Sequence, residues 1–328
     1  MKNLKRTILF SLLLIFTLSF LGCIKEEQNK HSNNSSNNTN SEKEKNDKGK
    51  AAEKYPIRIV DSLDRKVTIL DEPKKIISLA PNISEIICAL GKETLLVGRT
   101  ALCDFPESVM NIESVGDFNN PNVDRILELK PDLIIMSSLT PEKTLSKLDD
   151  SKQTYVVLNE DKSIEGTYTI IEKIGYILNT EKESEELINE MKTKISSLSS
   201  KVKKSNKPRV HFLADFGYSA GKDTYIAQML NAAGAINTAD DVTGWEYSLE
   251  KLIASDPDII IAPKSIFNEV EKREGYKDLR AVKNKKLMII DDAVISRQGP
   301  RITDGIEILA RILHPDAFKE EMENGASE

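Results

Sequence analysis

The chain has 328 residues, 46 of them Lys or Arg and 52 Asp or Glu, for a formal net charge of −6. That balance, with no basic block beyond the first residues, argues against nucleic acid as a partner. Three His and three Cys leave little from which to build a clustered metal site.

Lys2, Lys5 and Arg6 precede an apolar stretch from Ile8 to Leu21, and Gly22-Cys23 follows. This is the basic n-region and apolar h-region of a secretory signal, and the run is short for a membrane span. The junction "LSFLGC" resembles the lipobox of bacterial lipoproteins, although Phe20 stands where Leu is usual and Leu21 fills a slot usually held by a smaller residue. The resemblance implies cleavage before Cys23 and lipidation of its thiol, so residues 1–22 read as a signal peptide. From His31 to Lys50 the chain is almost entirely Asn, Ser, Lys, Glu and Asp, with nothing to bury. Residues 23–54 are therefore expected to be a disordered tether between a lipid anchor and a folded body, with His31 a spectator.

Residues 55–160 alternate strand and helix. Ile57 to Ile69 reads as a hairpin turning at Asp61-Ser62-Leu63-Asp64. "KIISL" is a strand, Asn82 to Leu90 a helix stopped by Gly91, and "LLVG" a strand. Pro121 to Lys130 is a helix, "DLIIM" a strand, Pro141 to Leu148 a helix and "TYVVL" a strand. Such alternation marks a parallel sheet flanked by helices. Cys88 and Cys103 are expected as free thiols, with a disulfide in an exported protein as the alternative.

Residues 161–205 are helical. Ser163 to Leu178 forms one helix; Thr180-Glu181-Lys182-Glu183 then matches a capping box. Leu187, Ile188, Met191, Ile195, Leu198 and Val202 make one apolar stripe. A helix from Glu181 to Lys203 spans roughly 35 Å at 1.5 Å per residue. Residues 206–316 form a second α/β lobe: "RVHFLADF" strand, Thr224 to Ala233 helix, Ser248 to Ala254 helix, "DIIIA" strand, "KKLMII" strand and Arg301 to Leu313 helix. Residues 317–328 are a tail. His211 reads as a satisfied core or edge histidine.

"KPDLIIM" and "DPDIIIA" repeat one phrase, with Pro131 and Pro257 standing 126 residues apart. Each follows a short amphipathic run, and each ends in an unbroken apolar run suited to a strand buried on both faces. The repeat points to two similar α/β lobes, the alternative being that helix–Pro–Asp–strand is a common phrase of α/β folds.

"ISLAPNISEIICALG", "VGRTALCDFPE", "VDRILELKPDLIIM", "GWEYSLEKLIASDPDIIIAP" and "GPRITDGIEILARILHP" occur in this order. Together they resemble the substrate-binding proteins of the iron-siderophore, haem and vitamin B12 ABC importers, most closely the cobalamin-binding branch. The resemblance covers roughly Ile57 to His314. It implies two Rossmann-like α/β lobes with parallel-rich sheets, bridged by one long backbone helix, with the ligand in the cleft between them. It implies no enzymatic activity and no cofactor. It also implies a monomer that hands a corrinoid, or else a ferric siderophore or haem, to a permease dimer. Glu85 and Glu250 match carboxylates that dock onto permease arginines, at what reads as the same place in each lobe. Phe118, Tyr218 and Trp245 match aromatic ligand contacts, and Arg297 a cleft arginine. Leu102 and Ser137 stand where the best-known cobalamin binders carry aromatics.

Three other readings compete. Gly217-Tyr218-Ser219-Ala220-Gly221 fits G-x-S-x-G, with Asp258 and His314 in hydrolase order. Lys222 and Asp223 intervene before Thr224, however, whereas the nucleophile elbow needs its helix to start directly after Ser. Haem wants an axial ligand, for which Tyr218 or Met136 is available. A ferric siderophore wants cationic and aromatic groups, for which Arg297, Arg99 and Trp245 are available.

Overall fold

The computed structural model describes residues 54–159 and 162–319. The signal segment, Cys23, the tether with His31 and the tail beyond Lys319 lie outside the described residues. The first lobe contains strands β1 (Ile57–Val60), β2 (Lys66–Ile69) and β3 (Ile76–Ser78), helix α1 (Pro81–Ala89) and strand β4 (Leu96–Arg99). A two-residue hairpin follows, β5 (Gly116–Asp117) with β6 (Asn120–Pro121); then come α2 (Val123–Glu128), β7 (Leu133–Met136), α3 (Glu142–Asp150) and β8 (Tyr155–Val157). Two helices come next, α4 (Ile164–Leu178) and α5 (Glu181–Val202). The second lobe runs β9 (Arg209–Asp215), β10 (Tyr218–Ser219), α6 (Tyr225–Ala232), β11 (Ile236–Asn237), α7 (Leu249–Ser255), β12 (Ile259–Pro263) and α8 (Lys264–Val270). It closes with α9 (Arg280–Lys283), β13 (Leu287–Ile290), α10 (Asp292–Ser296) and α11 (Ile302–Leu313).

The sheet of the first lobe is parallel in the order β4-β3-β7-β8. In the second lobe β9, β12 and β13 lie side by side in parallel, with β11 parallel to the start of β9 and β10 antiparallel to its end. Strands alternate their faces. Ile76, Leu133, Ile135 and Val156 point into a core shared with α4, α5, Phe212 and Leu309, while Ile77, Ile134, Met136 and Val157 point into a core of the first lobe's own. Leu213, Ile260 and Ala262 likewise face a core confined to the second lobe. One apolar layer thus runs through both lobes and the helices between them.

The repeated phrase occupies equivalent places. α2 leads into β7, between β3 and β8; α7 leads into β12, between β9 and β13. Lys130 and Asp256 both end their helices at positive φ, 50° and 42°. The Asp that follows each Pro makes the same clasp. Asp132 N–H donates to the Lys75 carbonyl at 2.8 Å while Lys75 N–H donates to Asp132 Oδ2 at 2.9 Å. Asp258 N–H donates to the Arg209 carbonyl at 2.8 Å, and Arg209 N–H donates to Asp258 Oδ2 at 2.9 Å. Each clasp pins the start of the lobe's central strand to the start of its neighbour.

The bridge is a helical pair. α4 packs on α1 of the first lobe and α6 of the second, and α5 lies along α4, α6 and α11. Gly175 permits the close approach of α4 to α5, since a Cβ there would lie 1.7 Å from Ser184 Oγ. The expected capping box does not form. The Thr180 side chain makes no cap bond to α5; its hydroxyl turns back to the Gly175 carbonyl at 3.5 Å, and its N–H, the donor that Glu183 would have met, goes to the same carbonyl at 2.8 Å. α2 is shorter than its apolar run because Asn122 caps it, accepting from Arg125 N–H, while Pro121 belongs to the preceding hairpin. His211 is a core histidine, 1% exposed and 3.0 Å from the Thr238 hydroxyl, and burial pushes its pKa down to about 3. Both thiols are free; burial pushes that of Cys88 up to about 12.

Asp132→Ala and Asp258→Ala should each lower unfolding free energy by about 0.5–1.5 kcal/mol, the net worth of a hydrogen bond whose freed N–H water can reach. Denaturant midpoints of the two variants measure this, and similar losses are expected because the clasps are alike.

Candidate functional site

In parallel α/β sheets the loops after the strands' carboxyl ends build the ligand crevice. β3 ends at Ser78 and leads into Pro81 and Asn82; β7 ends at Met136 and leads into Ser137 and Leu139; β13 ends at Ile290 and leads into Asp291. These ends converge on a cleft of about 400 Å³ between the lobes. Leu102, Phe118 and Leu139 supply its apolar surface, and Asn82 and Ser137 its neutral polar groups. Phe118 is half-buried at the tip of the β5–β6 hairpin, and Ser137 is 3% exposed. The second lobe contributes Asp291, Asp292 and Arg297 from around α10. Asp291 caps α10 by accepting from Ala293 N–H at 2.7 Å; Asp292 accepts from the Ser265 hydroxyl at 2.6 Å.

Arg297 also ties the lobes together. Its Nη1 is 2.6 Å from Asp104 Oδ1 and 3.0 Å from Glu85 Oε1, and its Nη2 donates to the Leu102 carbonyl at 3.1 Å. Arg301, one turn further on, grips the same Glu85: Nη2 to Oε1 at 2.6 Å and Nε to Oε2 at 3.0 Å. Its guanidinium lies 4.0 Å over the ring of Phe105. Glu85 and Asp104 belong to the first lobe and both arginines to the second. The Arg297 hydrogen bond holds the Asp104 carboxyl below the usual range. Burial works against the Arg297 charge, but the bonds to Asp104 and Glu85 outweigh it and raise its pKa.

A second, smaller space of about 160 Å³ is lined by Trp245, Thr224, Tyr225 and Gln298. It adjoins the cleft through consecutive residues, Arg297 lining one and Gln298 the other. Trp245 is 38% exposed; Tyr218, 47% exposed, lines neither space, although the Trp245 carbonyl accepts from Ser219 N–H. The structure therefore brings Leu102, Phe118, Ser137 and Arg297 into one cleft, sets Trp245 beside it and leaves Tyr218 outside. A larger groove of about 690 Å³ runs along α5 and α11, but it belongs to one outer face. Lys194 there is paired with Asp304 and Glu307, and Arg311 with Glu307.

Several expectations are corrected. Glu85 does not stand on an exposed rim: its side chain is 2% exposed, inside the interlobe cluster. Nor do Glu85 and Glu250 occupy equivalent places. Glu85 lies on α1, after the first strand of its sheet; Glu250 lies on α7, before β12, where the first lobe has Asp124 on α2. Glu250 is exposed, and its own backbone N–H and the Ser248 hydroxyl hold its carboxyl low. Met136 is wholly buried and is not placed to ligate haem. Arg99 is spent on the Val109, Thr100 and Met110 carbonyls inside the first lobe. Ser219 is fully buried, and Thr224 caps α6, so no nucleophile elbow exists. Among the described residues no cluster of three His, Cys, Asp or Glu could hold a metal ion. Asp104, Asp291, Asp292, Gln298 and Arg301 were not foreseen from sequence; the Asp pair directly after "KKLMII", at a strand's carboxyl end, was the available signal.

Glu85→Gln should destabilise the fold by about 1–3 kcal/mol, because two largely covered guanidinium groups lose a shared counter-charge while Arg297 keeps Asp104. Glu250→Gln should lower the denaturant midpoint only slightly, since its carboxylate is exposed and its bonds lie at one helix start.

Residues 76–294 match the family model described as periplasmic binding protein. A Bacillus subtilis protein described as an uncharacterized ABC transporter substrate-binding lipoprotein, YvrC, is 36% identical over 279 residues, covering 82% of this chain and 88% of its own. A vitamin B12-binding protein of Vibrio cholerae is 25% identical over 246 residues, covering 71% of this chain and 87% of its own. The crystal structure of a possible iron-binding (periplasmic solute-binding) protein from Staphylococcus epidermidis superimposes with a TM-score of 0.67 at 32% identity, over 74% of this chain and all of that one. The chain thus belongs to the periplasmic binding protein family: it is a two-lobed α/β substrate-binding component of an ABC transporter and not an enzyme.

Proposed function

We propose that the cargo is cobalamin or a related corrinoid. The charge of the cleft is the observation that carries this reading. Asp104, Asp291 and Asp292 face a single arginine, and that arginine is already paired with Asp104 and Glu85. A ferric siderophore or haem brings carboxylates or other anionic groups into this acidic space, where like charges in a partly desolvated cleft repel. A corrinoid presents neutral carboxamides whose N–H groups can donate to Asp291 and Asp292. Its flat apolar body suits Phe118, Leu102 and Leu139. Among the described residues the cleft lining contains no His, Tyr, Met or Cys to serve as an axial ligand for haem iron.

The rest of the delivery route follows the same reading. Cys23 carries the lipid, residues 23–54 are the spacer, and the body stands as a monomer on the extracytoplasmic face of the membrane. Residues 55–160 and 206–316 are the two lobes, and 161–205 the bridge. Glu250 meets a permease arginine; such rim charges set register and association rate more than affinity.

Parallel calorimetric titration of the soluble body with cyanocobalamin, haem and a ferric siderophore tests the cargo. Binding of cyanocobalamin, with haem and siderophore weaker by tenfold or more, is expected. Tighter binding of either anionic ligand would overturn the corrinoid assignment.

A further inference from the structure

Gln298 is 1% exposed, yet its side-chain Oε1 has no hydrogen-bond partner in the protein. Asp223, Tyr225 and Thr224, which also line the 160 Å³ space, are committed. Asp223 accepts from Gly244 N–H at 2.6 Å and pairs with Lys162 at 3.2 Å; the Tyr225 hydroxyl donates to the Ile295 carbonyl at 2.7 Å; the Thr224 hydroxyl donates to the Gly221 carbonyl at 2.8 Å. A buried amide left without a partner costs on the order of 1–3 kcal/mol, so Oε1 calls for a donor from a bound group or an ordered water. The backbone of Gln298 is fixed from the other lobe, its carbonyl accepting from Asn82 Nδ2 at 3.4 Å. The amide is therefore held at the seam between the cleft and the smaller space.

Ligand pockets that take a whole drug-sized molecule run to roughly 300–1,000 Å³. At about 160 Å³ this space suits a substituent, not a macrocycle. Trp245 offers an apolar face for a short methylene stem. The group that best completes a Gln amide is another primary amide, since its N–H₂ donates to Oε1 and its carbonyl accepts from Nε2. That pairing holds whichever way the Gln298 amide is turned. A carboxylate in the same place has no N–H for Oε1 and gives up its water, and Lys162, a cation on the wall, is already paired with Asp223 at 3.2 Å.

We infer that Gln298, with Trp245, forms a side-arm subsite that selects a primary carboxamide over a carboxylate on the ligand held in the cleft. This rests on the corrinoid reading above, because a corrin ring carries such arms.

The test uses cyanocobalamin and its three separated monocarboxylic acids, each with one propionamide arm converted to an acid, on wild-type protein and Gln298→Leu. One acid should bind the wild-type protein about tenfold or more weakly than the parent, as expected for one lost, charge-penalised hydrogen-bonded pair. Gln298→Leu should weaken the parent by a similar factor and abolish the difference between parent and that acid. It should also raise the melting temperature of the ligand-free protein by removing the stranded amide. Parent and all three acids binding the wild-type protein alike would overturn the inference, as would an acid penalty that survives in Gln298→Leu. If no corrinoid binds the wild-type protein, the cargo reading fails, and the subsite is judged separately. Trp245 is the single Trp of the chain, so its emission reports on this space. A saturable shift with propionamide, absent with propionate and lost in Gln298→Leu, supports the subsite; equal responses to the two sink it.

Discussion

The Glu85 carboxylate is shared by two guanidinium groups that reach it from the other lobe. At 2% exposure it has given up its water, and a buried carboxylate is tolerable only with complete, charge-assisted compensation. Arg301 grips it through both oxygens while Arg297 adds a third contact. Since Arg297 is also a wall of the cleft, the contact that joins the lobes and the surface that meets the ligand are one construction. A ligand that drew Arg297 away would loosen the lobes. A ligand that leaves it in place uses the cleft as it stands, and this favours neutral groups seeking carboxylate acceptors.

The apolar layer that passes through α4 and α5 works in the same direction. α4 touches helices of both lobes, and α5 braces α4 along one face. Parting the lobes would expose part of that continuous core to water as well as break the ion cluster. Within each lobe the Pro-Asp phrase repeats a local device, a left-handed helix end followed by an Asp that clasps the neighbouring strand. The lobes share that scaffold but not their surface chemistry: the first supplies most of the apolar lining, the second the Asp291–Asp292 pair and Arg297.

Much of this was legible in the sequence, for reasons of period and punctuation. "DLIIM" and "DIIIA" read as strands because they lack polar alternation, and both are buried central strands. The helix over Glu181–Val202 was readable from its stripe. Failures fell where tertiary partners decide. The Thr180 hydroxyl, expected to cap α5, bonds back into α4, because the tight turn at Asn179 brings the Gly175 carbonyl within reach. Short α8, α9 and α10 were missed because one to two turns leave an apolar pattern little room to repeat, and no second copy of their sequence marks them as the Pro-Asp phrase marks α2 and α7. The cleft was half visible: strand ends marked Ser137 and Arg297 stood in a readable motif. That Glu85 would be buried against Arg297 and Arg301, some 210 positions away in sequence, no local pattern encodes. Nor does local pattern reveal which amide will lack a partner.

Small-angle X-ray scattering of the folded body, alone and saturated with cyanocobalamin, tests most directly whether the ion cluster and the helical pair hold the lobes at a fixed spacing. The two scattering profiles should superimpose, with the same radius of gyration. A marked compaction on ligand addition would show that the lobes close as hinged jaws and would contradict a frame locked through Glu85.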